Sequence, residues 1–192
     1  MAPIQFYSYK VKIHDTPFYS DRGVQFAYTA SIILYDSNEK EIASLEKGYI
    51  DTETIYQKID EGKDLLLDQC YCENFSLKDY RKSRNITPDK TIYLHRFSAY
   101  QAVFDGKEAI DFSFCDFGNH YKNFEQAMFL HCKVVFHQCD FKKGGINFSY
   151  SFFENGELDF SYNKIDKGEL NSKNSLFGDG NKNFQNLSFG DG

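Results

Sequence analysis

The fold is decided by residues 109–192, which divide without insertion into seven blocks of 12: AIDFSFCDFGNH (109–120), YKNFEQAMFLHC (121–132), KVVFHQCDFKKG (133–144), GINFSYSFFENG (145–156), ELDFSYNKIDKG (157–168), ELNSKNSLFGDG (169–180) and NKNFQNLSFGDG (181–192). Positions 4 and 9 of the blocks are almost always Phe. Ser172 is the one polar residue among them, and Ile165 is the one aliphatic replacement. Such a fixed spacing indicates a repeat architecture, in which each unit buries its apolar side chains against its neighbours.

The side chains at positions 4 and 9 are predicted to point inward and to stack as a structural core ladder. Its predicted members are Phe112, Phe124, Phe136, Phe148, Phe160, Phe184, Phe117, Phe129, Phe141, Phe153, Ile165, Phe177 and Phe189. Residues at i and i−2 of a strand face the same way. A large residue such as Ile110 stands two positions before the first Phe of a block, and a small residue such as Cys115 stands two positions before the second. Each of these residues is therefore expected to point into the interior together with its Phe.

Stacked units of this kind predict a mainly β chain, a right-handed β-helix or solenoid of 12-residue repeats. A Phe pair is bulky for a coil of a single repeat, so two repeats per turn, about 24 residues, are expected. Cys115 and Cys139 stand at the same position two repeats apart and would then stack directly. Gly, Asn and Asp at positions 10 to 12 are expected to supply corners with positive φ.

The pattern of a small residue two before Phe resembles that of the pentapeptide-repeat family. The matching stretches are Cys-Asp-Phe at 115–117 and 139–141, Ala-Met-Phe at 127–129 and Ser-Phe-Phe at 151–153. The resemblance covers residues 109–192 and implies a right-handed β-helix rather than an activity. The Phe spacing alternates between 5 and 7 instead of staying at 5, which puts regular square coils in doubt.

Residues 1–96 do not repeat and are predicted to form a small α+β domain that caps a solenoid of residues 97–192. Alternating apolar residues predict strands around 7–13, 24–32, 41–50 and 91–97. Asp51 or Thr52 is a candidate N-cap for a helix whose apolar face would run on to Leu66 and Cys70. Ser76 is a candidate N-cap for a second, short helix. The capping domain would cover the strand edges of the first coil.

Two Cys-containing clusters are candidates for metal or redox sites. His131, Cys132, His137 and Cys139 lack the spacing of a standard zinc motif, and inward and outward side chains alternate there. Residues 70–72 are Cys-Tyr-Cys rather than C-x-x-C, which favours two thiols at a helix end without redox function.

Other motifs also favour structural interpretations. Gly-Asp-Gly at 178–180 and 190–192 lies outside the nine-residue pattern of calcium-binding repeats, so glycine corners are favoured over calcium sites. The basic run at 81–84 is interpreted as a solvated helix end rather than a phosphate site. No nucleophile with a base and no phosphate-binding glycine motif is found. We therefore predict no enzyme activity, no catalytic residue, no cofactor and no metal.

Composition restricts the partners and the location. The chain has 192 residues, with 20 Phe, 14 Tyr and no Trp, and a net charge of −6, which disfavours a nucleic-acid partner. The longest apolar run, at 30–35, is too short to span a bilayer, so no membrane association is expected. Five Cys and the absence of a signal-like start predict synthesis in the cytoplasm, with export that needs no cleaved signal as an alternative.

The favoured function is a structural or interaction module. Its partners would be proteins, including a second copy joined through the open C-terminal coil. The in-register last block suggests the front part of a longer modular bacterial protein, such as a secreted or polymorphic-toxin-like effector. The alternative, implied by the resemblance, is a DNA mimic that binds a topoisomerase, since acidic residues outnumber basic ones in the blocks. A small-ligand or enzyme role for the N-terminal domain is a third hypothesis.

Overall fold

The computed structural model describes residues 6–190, and within them the chain is mainly β with two short helices. The chain begins with five strands, β1 (Ser8–His14), β2 (Phe18–Tyr19), β3 (Gln25–Phe26), β4 (Tyr28–Tyr35) and β5 (Glu41–Tyr49). β1, β4 and β5 pair antiparallel, and β2 and β3 form a small hairpin. Alternating apolar residues on β4 leave Ala30, Ile32 and Leu34 fully buried, as expected for a strand with one covered face.

Two helices lie where the capping residues predict them. Helix α1 (Thr52–Asp60) begins after Asp51, whose carboxylate accepts the backbone N–H of Thr54 at 2.9 Å. Helix α2 (Leu77–Ser83) begins after Ser76, whose hydroxyl accepts the N–H of Asp79 at 3.1 Å. Each side chain satisfies a backbone donor that the first helical turn leaves without a partner. Both predicted N-caps are thereby confirmed.

The rest of the chain is a series of short strands. β6 (Leu65–Leu66) and β7 (Cys70–Glu73) lie between the two helices. After α2 follow β8 (Ile92–Tyr93), β9 (Phe97–Ser98), β10 (Val103–Asp105), β11 (Ala109–Asp111), β12 (Cys115–Asp116), β13 (Lys122–Asn123), β14 (Met128–Leu130), β15 (Lys133–Val135), β16 (Ile146–Asn147), β17 (Phe152–Phe153), β18 (Leu158–Asp159), β19 (Lys164–Ile165), β20 (Leu170–Asn171), β21 (Leu176–Phe177), β22 (Lys182–Asn183) and β23 (Ser188–Phe189).

These short strands pair parallel in four ladders, which the chain visits in a fixed order. Ladder 1 is β6-β9-β13-β16-β20, ladder 2 is β7-β10-β14-β17-β21, and ladder 3 is β11-β15-β18-β22. Ladder 4 contains β8 with β12 and β19 with β23, joined by single bridges through Asp140. We call one passage through the four ladders a circuit. Antiparallel strands β5, β4 and β1 extend ladder 2 into an eight-stranded sheet.

From Ala109 onward the register between circuits equals two repeats. Ala109 pairs with Lys133, Phe129 with Phe153, and Ile165 with Phe189. Each residue therefore lies beside its equivalent two blocks away, the spacing expected from the bulk of the Phe pair. Bridges between Asp116, Asp140 and Lys164 put Cys115 beside Cys139, as the spacing predicts.

Parallel pairing starts earlier in the chain than the predicted boundary at 96/97. Leu65 pairs with Phe97. The two residues are further apart in the sequence than paired residues of the later circuits, because the first circuit also contains α2. β7 pairs with β5 on one side and β10 on the other, so the N-terminal strands and the ladders share one sheet. The prediction that Leu66 and Cys70 continue the face of α1 is wrong, because both lie in strands. The Cys-Tyr-Cys stretch is therefore a buried strand and not a helix end.

The corners of the circuits differ from the prediction. Position 6 of every block has positive φ, although no glycine stands there, and the residues are Phe114, Gln126, Gln138, Tyr150, Tyr162, Asn174 and Asn186. Position 3 is Asp or Asn in every block but one. Its side chain accepts a hydrogen bond from the backbone N–H two residues later: Ser113 donates to Asp111 at 2.5 Å, and Ser149 donates to Asn147 at 2.9 Å. This local hydrogen bond stabilises the turn into position 6.

Most glycines at positions 10 and 12 serve close packing rather than positive φ. A Cβ on Gly144 would overlap the carbonyl oxygen of His120, and one on Gly178 would overlap that of Glu154. Neither glycine has positive φ, whereas Gly156 combines both features. At Gly144 and Gly178 the adjacent circuit therefore lies too close for a Cβ.

Two cores lie on opposite faces of ladder 2. The larger one lies between the four ladders and contains the Phe columns together with α1 and α2 residues such as Ile55 and Leu77. The smaller one lies outside and joins Ile32 and Leu34 of β4 to Val103 and Leu130. Ladder 2 is thus covered on both faces, which fixes the N-terminal strands against the ladders.

Candidate functional site

The predicted core-ladder residues form columns that run along the ladders. Several rings two repeats apart are stacked, with centroids 4.7 Å apart for Phe112–Phe136, 5.0 Å for Phe124–Phe148 and 4.7 Å for Phe129–Phe153. Rings on different ladders meet edge to face, as for Phe124 and Phe136 at 5.5 Å. Both arrangements suit the quadrupole of the aromatic ring. From Phe112 to Ile165 every member of the column set is buried.

The last three members of the set are not fully buried. Phe177 is half-buried, Phe184 is 44% exposed and Phe189 is 58% exposed. β20, β21, β22 and β23 each pair on one side only, because within residues 6–190 no later circuit follows them. We call this surface, formed by residues 169–190, the end face. It combines exposed aromatic rings with strand edges that have no partner within residues 6–190.

A cavity of about 350 Å³ opens within the end face. Its lining is mostly apolar and consists of Phe148, Leu158, Phe160, Leu170, Ser172, Phe177, Lys182 and Phe184. Its cause is visible in the sequence, because Ser172 stands where the column Phe124–Phe148 would continue. The short side chain leaves the outer face of the Phe148 ring without a stacking partner.

The opposite end of the ladders is covered by α1 and α2. Arg81 of α2 is 1% exposed, and its guanidinium donates to the carbonyl and the hydroxyl of Ser113 at 3.0 Å. Tyr56 of α1 donates to the carbonyl of Ser76 at 2.6 Å. The interpretation of the basic run 81–84 as a solvated helix end is therefore wrong for Arg81, which is held inside by the Ser113 turn. Arg84 lies at the surface and pairs with Glu53 and Asp60 at 2.7 and 2.8 Å.

One buried cation lies inside the ladders. Lys122 occupies the inward position that Ile146 and Leu170 occupy in later circuits of ladder 1. Its ammonium donates to the carbonyls of Gly118 at 2.7 Å and Phe141 at 2.5 Å. Burial lowers the pKa of Lys122 to about 8, because the charged form loses its hydration. Lys122 is only 1% exposed, so its ammonium is available to the two backbone carbonyls and not to a ligand from solvent.

A cluster of titratable groups joins β1 to the edge of ladder 2. The Tyr9 hydroxyl lies 2.7 Å from Nδ1 of His131. The Tyr71 hydroxyl lies 2.8 Å from an Asp105 carboxylate oxygen and 2.9 Å from one of Glu73, and its single proton serves one of them at a time. Burial, followed by the nearby Asp105 carboxylate, raises the pKa of Tyr9 well above its usual range. A phenol with a raised pKa stays protonated, so the Tyr9 hydroxyl keeps its proton for the hydrogen bond with His131 that links β1 to the residue after β14.

The candidate metal and redox residues do not converge. Phe136 and Cys139 point inward while His137 bonds outward to the Ser161 hydroxyl at 2.9 Å. Within residues 6–190 there is no group of three or more His, Cys, Asp or Glu side chains placed to hold a metal ion. All five Cys are buried free thiols, and burial raises the pKa of each of them. A thiol with a raised pKa is a poor nucleophile and a poor metal ligand.

The Gly-Asp-Gly stretch at 178–180 lies at the end face, and of the stretch at 190–192 only Gly190 lies within the described residues. Gly178 accepts a hydrogen bond from the Lys182 ammonium through its carbonyl. Asp191 and Gly192 lie outside the described residues. Sequence analysis missed the cavity at Ser172 and the buried Lys122, although the break in the Phe pattern and a Lys at an otherwise aliphatic position were both visible.

Comparisons with known proteins give no relative for this chain. No family of known proteins matches it, and neither a curated protein nor a solved structure matches it. None of the helices within residues 6–190 has the length and apolar character needed to cross a bilayer.

Proposed function

We propose that this protein is a non-enzymatic interaction module, built as a right-handed β-solenoid with an N-terminal α+β cap. Each circuit of four ladders would be one coil of the solenoid. The fixed order of the ladders and the two-repeat register support this proposal. The right hand is the one that connections between parallel strands almost always take. The pentapeptide-repeat-like pattern is a finer proposal that rests on the small residues two before each second Phe.

We propose further that the end face binds a second copy of the chain. Exposure of Phe184 and Phe189, in a chain whose other end is covered, carries this proposal. A second copy offers the same ring spacing and the same unpaired edges, so a two-fold contact would be self-complementary. Charges at the end face have both signs, for example Glu169 and Lys173, which allows the face to meet itself without strong repulsion.

Sedimentation velocity over a range of concentrations tests the self-association. The wild-type chain is expected to form a dimer, and the double variant Phe184→Glu/Phe189→Glu is expected to stay monomeric, because it places two charges in the contact. Tyr93→Glu is the matched control, since Tyr93 is 65% exposed and lies in ladder 4 far from the end face. A wild-type chain that is monomeric at about 100 μM, a concentration at which a specific dimer should be populated, would contradict the proposal.

The DNA-mimic alternative and the effector setting stay predictions. A DNA mimic needs a continuous run of negative charge. On ladder 4 the carboxylates of Asp116 and Asp140 are instead bridged by Lys142, at 3.4 and 2.6 Å, and Asp166 pairs with Lys164 at 2.7 Å. These ion pairs favour the interaction module. Inhibition of a topoisomerase by the purified protein at micromolar concentration would reverse that preference.

A further inference from the structure

The column of Phe124 and Phe148 lacks a third ring, because Ser172 stands at its next position. In other parts of the columns a ring stacks on the one before it at 4.6 to 5.0 Å, as in Phe153–Phe177 and Phe124–Phe148. Phe148 has such a partner in Phe124 on its inner face, and the next position of the column is Ser172. The cavity there has a volume of about 350 Å³, and Phe148, Phe160 and Phe177 are among the residues that line it. An apolar cavity of roughly 150 Å³ is already enough to hold benzene.

One cation lies at the mouth of this cavity. Lys182 pairs in register with Leu158, so its stem covers an apolar wall while its ammonium donates to the Gly178 carbonyl. That single bond leaves two of its three N–H groups for another acceptor. No carboxylate is among the cavity-lining residues, so none of them would repel a negative group at the mouth.

We propose that this cavity is a binding site for a small molecule that carries a phenyl ring and an anionic group. The ring lies on the outer face of Phe148, in the place that Ser172 leaves free. The anionic group lies at the mouth and accepts hydrogen bonds from the Lys182 ammonium and the Ser172 hydroxyl. Every lining residue comes from one chain, so the site needs no second copy, although a copy bound to the end face would cover it.

Titration of the full chain with 3-phenylpropionate, followed by calorimetry and ligand-observed NMR, tests the site. Binding is expected with a Kd on the order of 1 mM or lower, as suits a ligand of this size. Because the slot is flat, the saturated-ring analogue 3-cyclohexylpropionate is expected to bind at least about threefold more weakly, the loss of one stacking contact. Absence of saturable binding of 3-phenylpropionate up to roughly 10 mM would overturn the proposal.

Two variants locate the ligand, and a third tests its charge. Ser172→Phe fills the slot and is expected to abolish binding, whereas Ser172→Ala keeps the slot open and is expected to retain it. Equal binding by the two Ser172 variants would overturn the placement. Lys182→Met keeps an apolar stem and is expected to weaken 3-phenylpropionate by about threefold, the size of an exposed ion pair, while toluene binding stays unchanged. An unchanged affinity for 3-phenylpropionate would remove the anionic group from the proposal.

Sedimentation of the same samples separates this site from the proposed function. A monomeric chain that binds 3-phenylpropionate would retain the site and refute self-association. Because a second copy would cover the cavity, a dimeric wild-type chain is compared with the Phe189→Glu variant, whose substituted residue does not line the cavity. Absence of binding by that variant in its monomeric form would refute the site while self-association stands.

Discussion

Truncation of Phe136 to alanine is the most informative perturbation of the columns. The Phe136 ring is fully buried and stacks on Phe112 at 4.7 Å with an interplanar angle of 1°. It also meets the rings of Phe124, Phe148 and Phe160 at 5.5 to 5.6 Å. Its removal therefore opens a hole in contact with rings from different ladders.

The expected loss in the free energy of unfolding for Phe136→Ala is about 3–5 kcal/mol. Transfer of the ring to water accounts for about 1.5–3 kcal/mol of that loss. Loss of aromatic pairing and the remaining hole account for the rest, because the surrounding strands are fixed by ladder hydrogen bonds such as that from the Phe136 N–H to the Asp159 carbonyl at 2.7 Å. The hole cannot collapse without breaking these bonds.

Urea unfolding measured by far-ultraviolet circular dichroism and tyrosine fluorescence gives the free energy. Phe189→Ala is the matched control, because Phe189 belongs to the same repeat pattern but is 58% exposed at the end face. The control is expected to cost less than about 1 kcal/mol. Equal costs for the two variants would refute the buried-column account of the core.

Three further predictions concern the cap, a corner and the buried cation. Asp51→Ala should lower the free energy of unfolding by about 1 kcal/mol through loss of the α1 N-cap, whereas Asp64→Ala in an exposed loop should leave the urea midpoint unchanged. Gly144→Ala should lower the free energy of unfolding by about 1–3 kcal/mol, because the new Cβ overlaps the His120 carbonyl. Thermal unfolding measures this loss, and an unchanged Tm would contradict the close packing. The pKa of Lys122 is about 8 in the folded chain and about 10.5 when unfolded, so between these pH values the unfolded chain holds the extra proton and stability should rise with pH. Urea midpoints for wild type and Lys122→Met should diverge across that window, and parallel curves would contradict the burial.

The regular part of the fold was predictable from the sequence because one environment is copied many times. The spacing of the Phe residues predicts inward columns, and their bulk predicts the two-repeat register that joins Phe129 to Phe153. Helix starts at Asp51 and Ser76 follow from local capping chemistry, which needs no tertiary context. These features are local or repeated, and a single sequence contains both kinds of signal.

Features that depend on tertiary context were not predictable. The first circuit escaped detection because α2 lengthens it, and the second step of ladder 1, from Ser98 to Asn123, exceeds two repeats by a single position. Burial of Arg81 depends on the Ser113 turn, which approaches only when the chain has folded. Positive φ at position 6 was not predicted, because residues such as Phe114 seldom adopt it. It occurs here beside the hydrogen bond that the position 3 side chain accepts from the N–H of position 5.

The candidate site was only partly predictable. The exposure of Phe184 and Phe189 was not predicted, because both stand in the repeat pattern as members of the buried ladder. The cavity needed the structure, because Ser172 in the sequence is only a missing Phe. The proposed ligand chemistry depends on Lys182, which pairs with Leu158, and on Phe160 and Phe177, which line the cavity.

The most direct test of the account is disulfide trapping of residues that stand two repeats apart. Lys164 and Ser188 are exposed and pair in ladder 4, so Lys164→Cys/Ser188→Cys should oxidise quantitatively to an intramolecular disulfide, seen by mass spectrometry. Lys164→Cys/Leu176→Cys, with residues one repeat apart and equally exposed, should stay reduced because residue 176 lies in ladder 2. Trapping of the 164–176 pair instead of the 164–188 pair would contradict the two-repeat circuit.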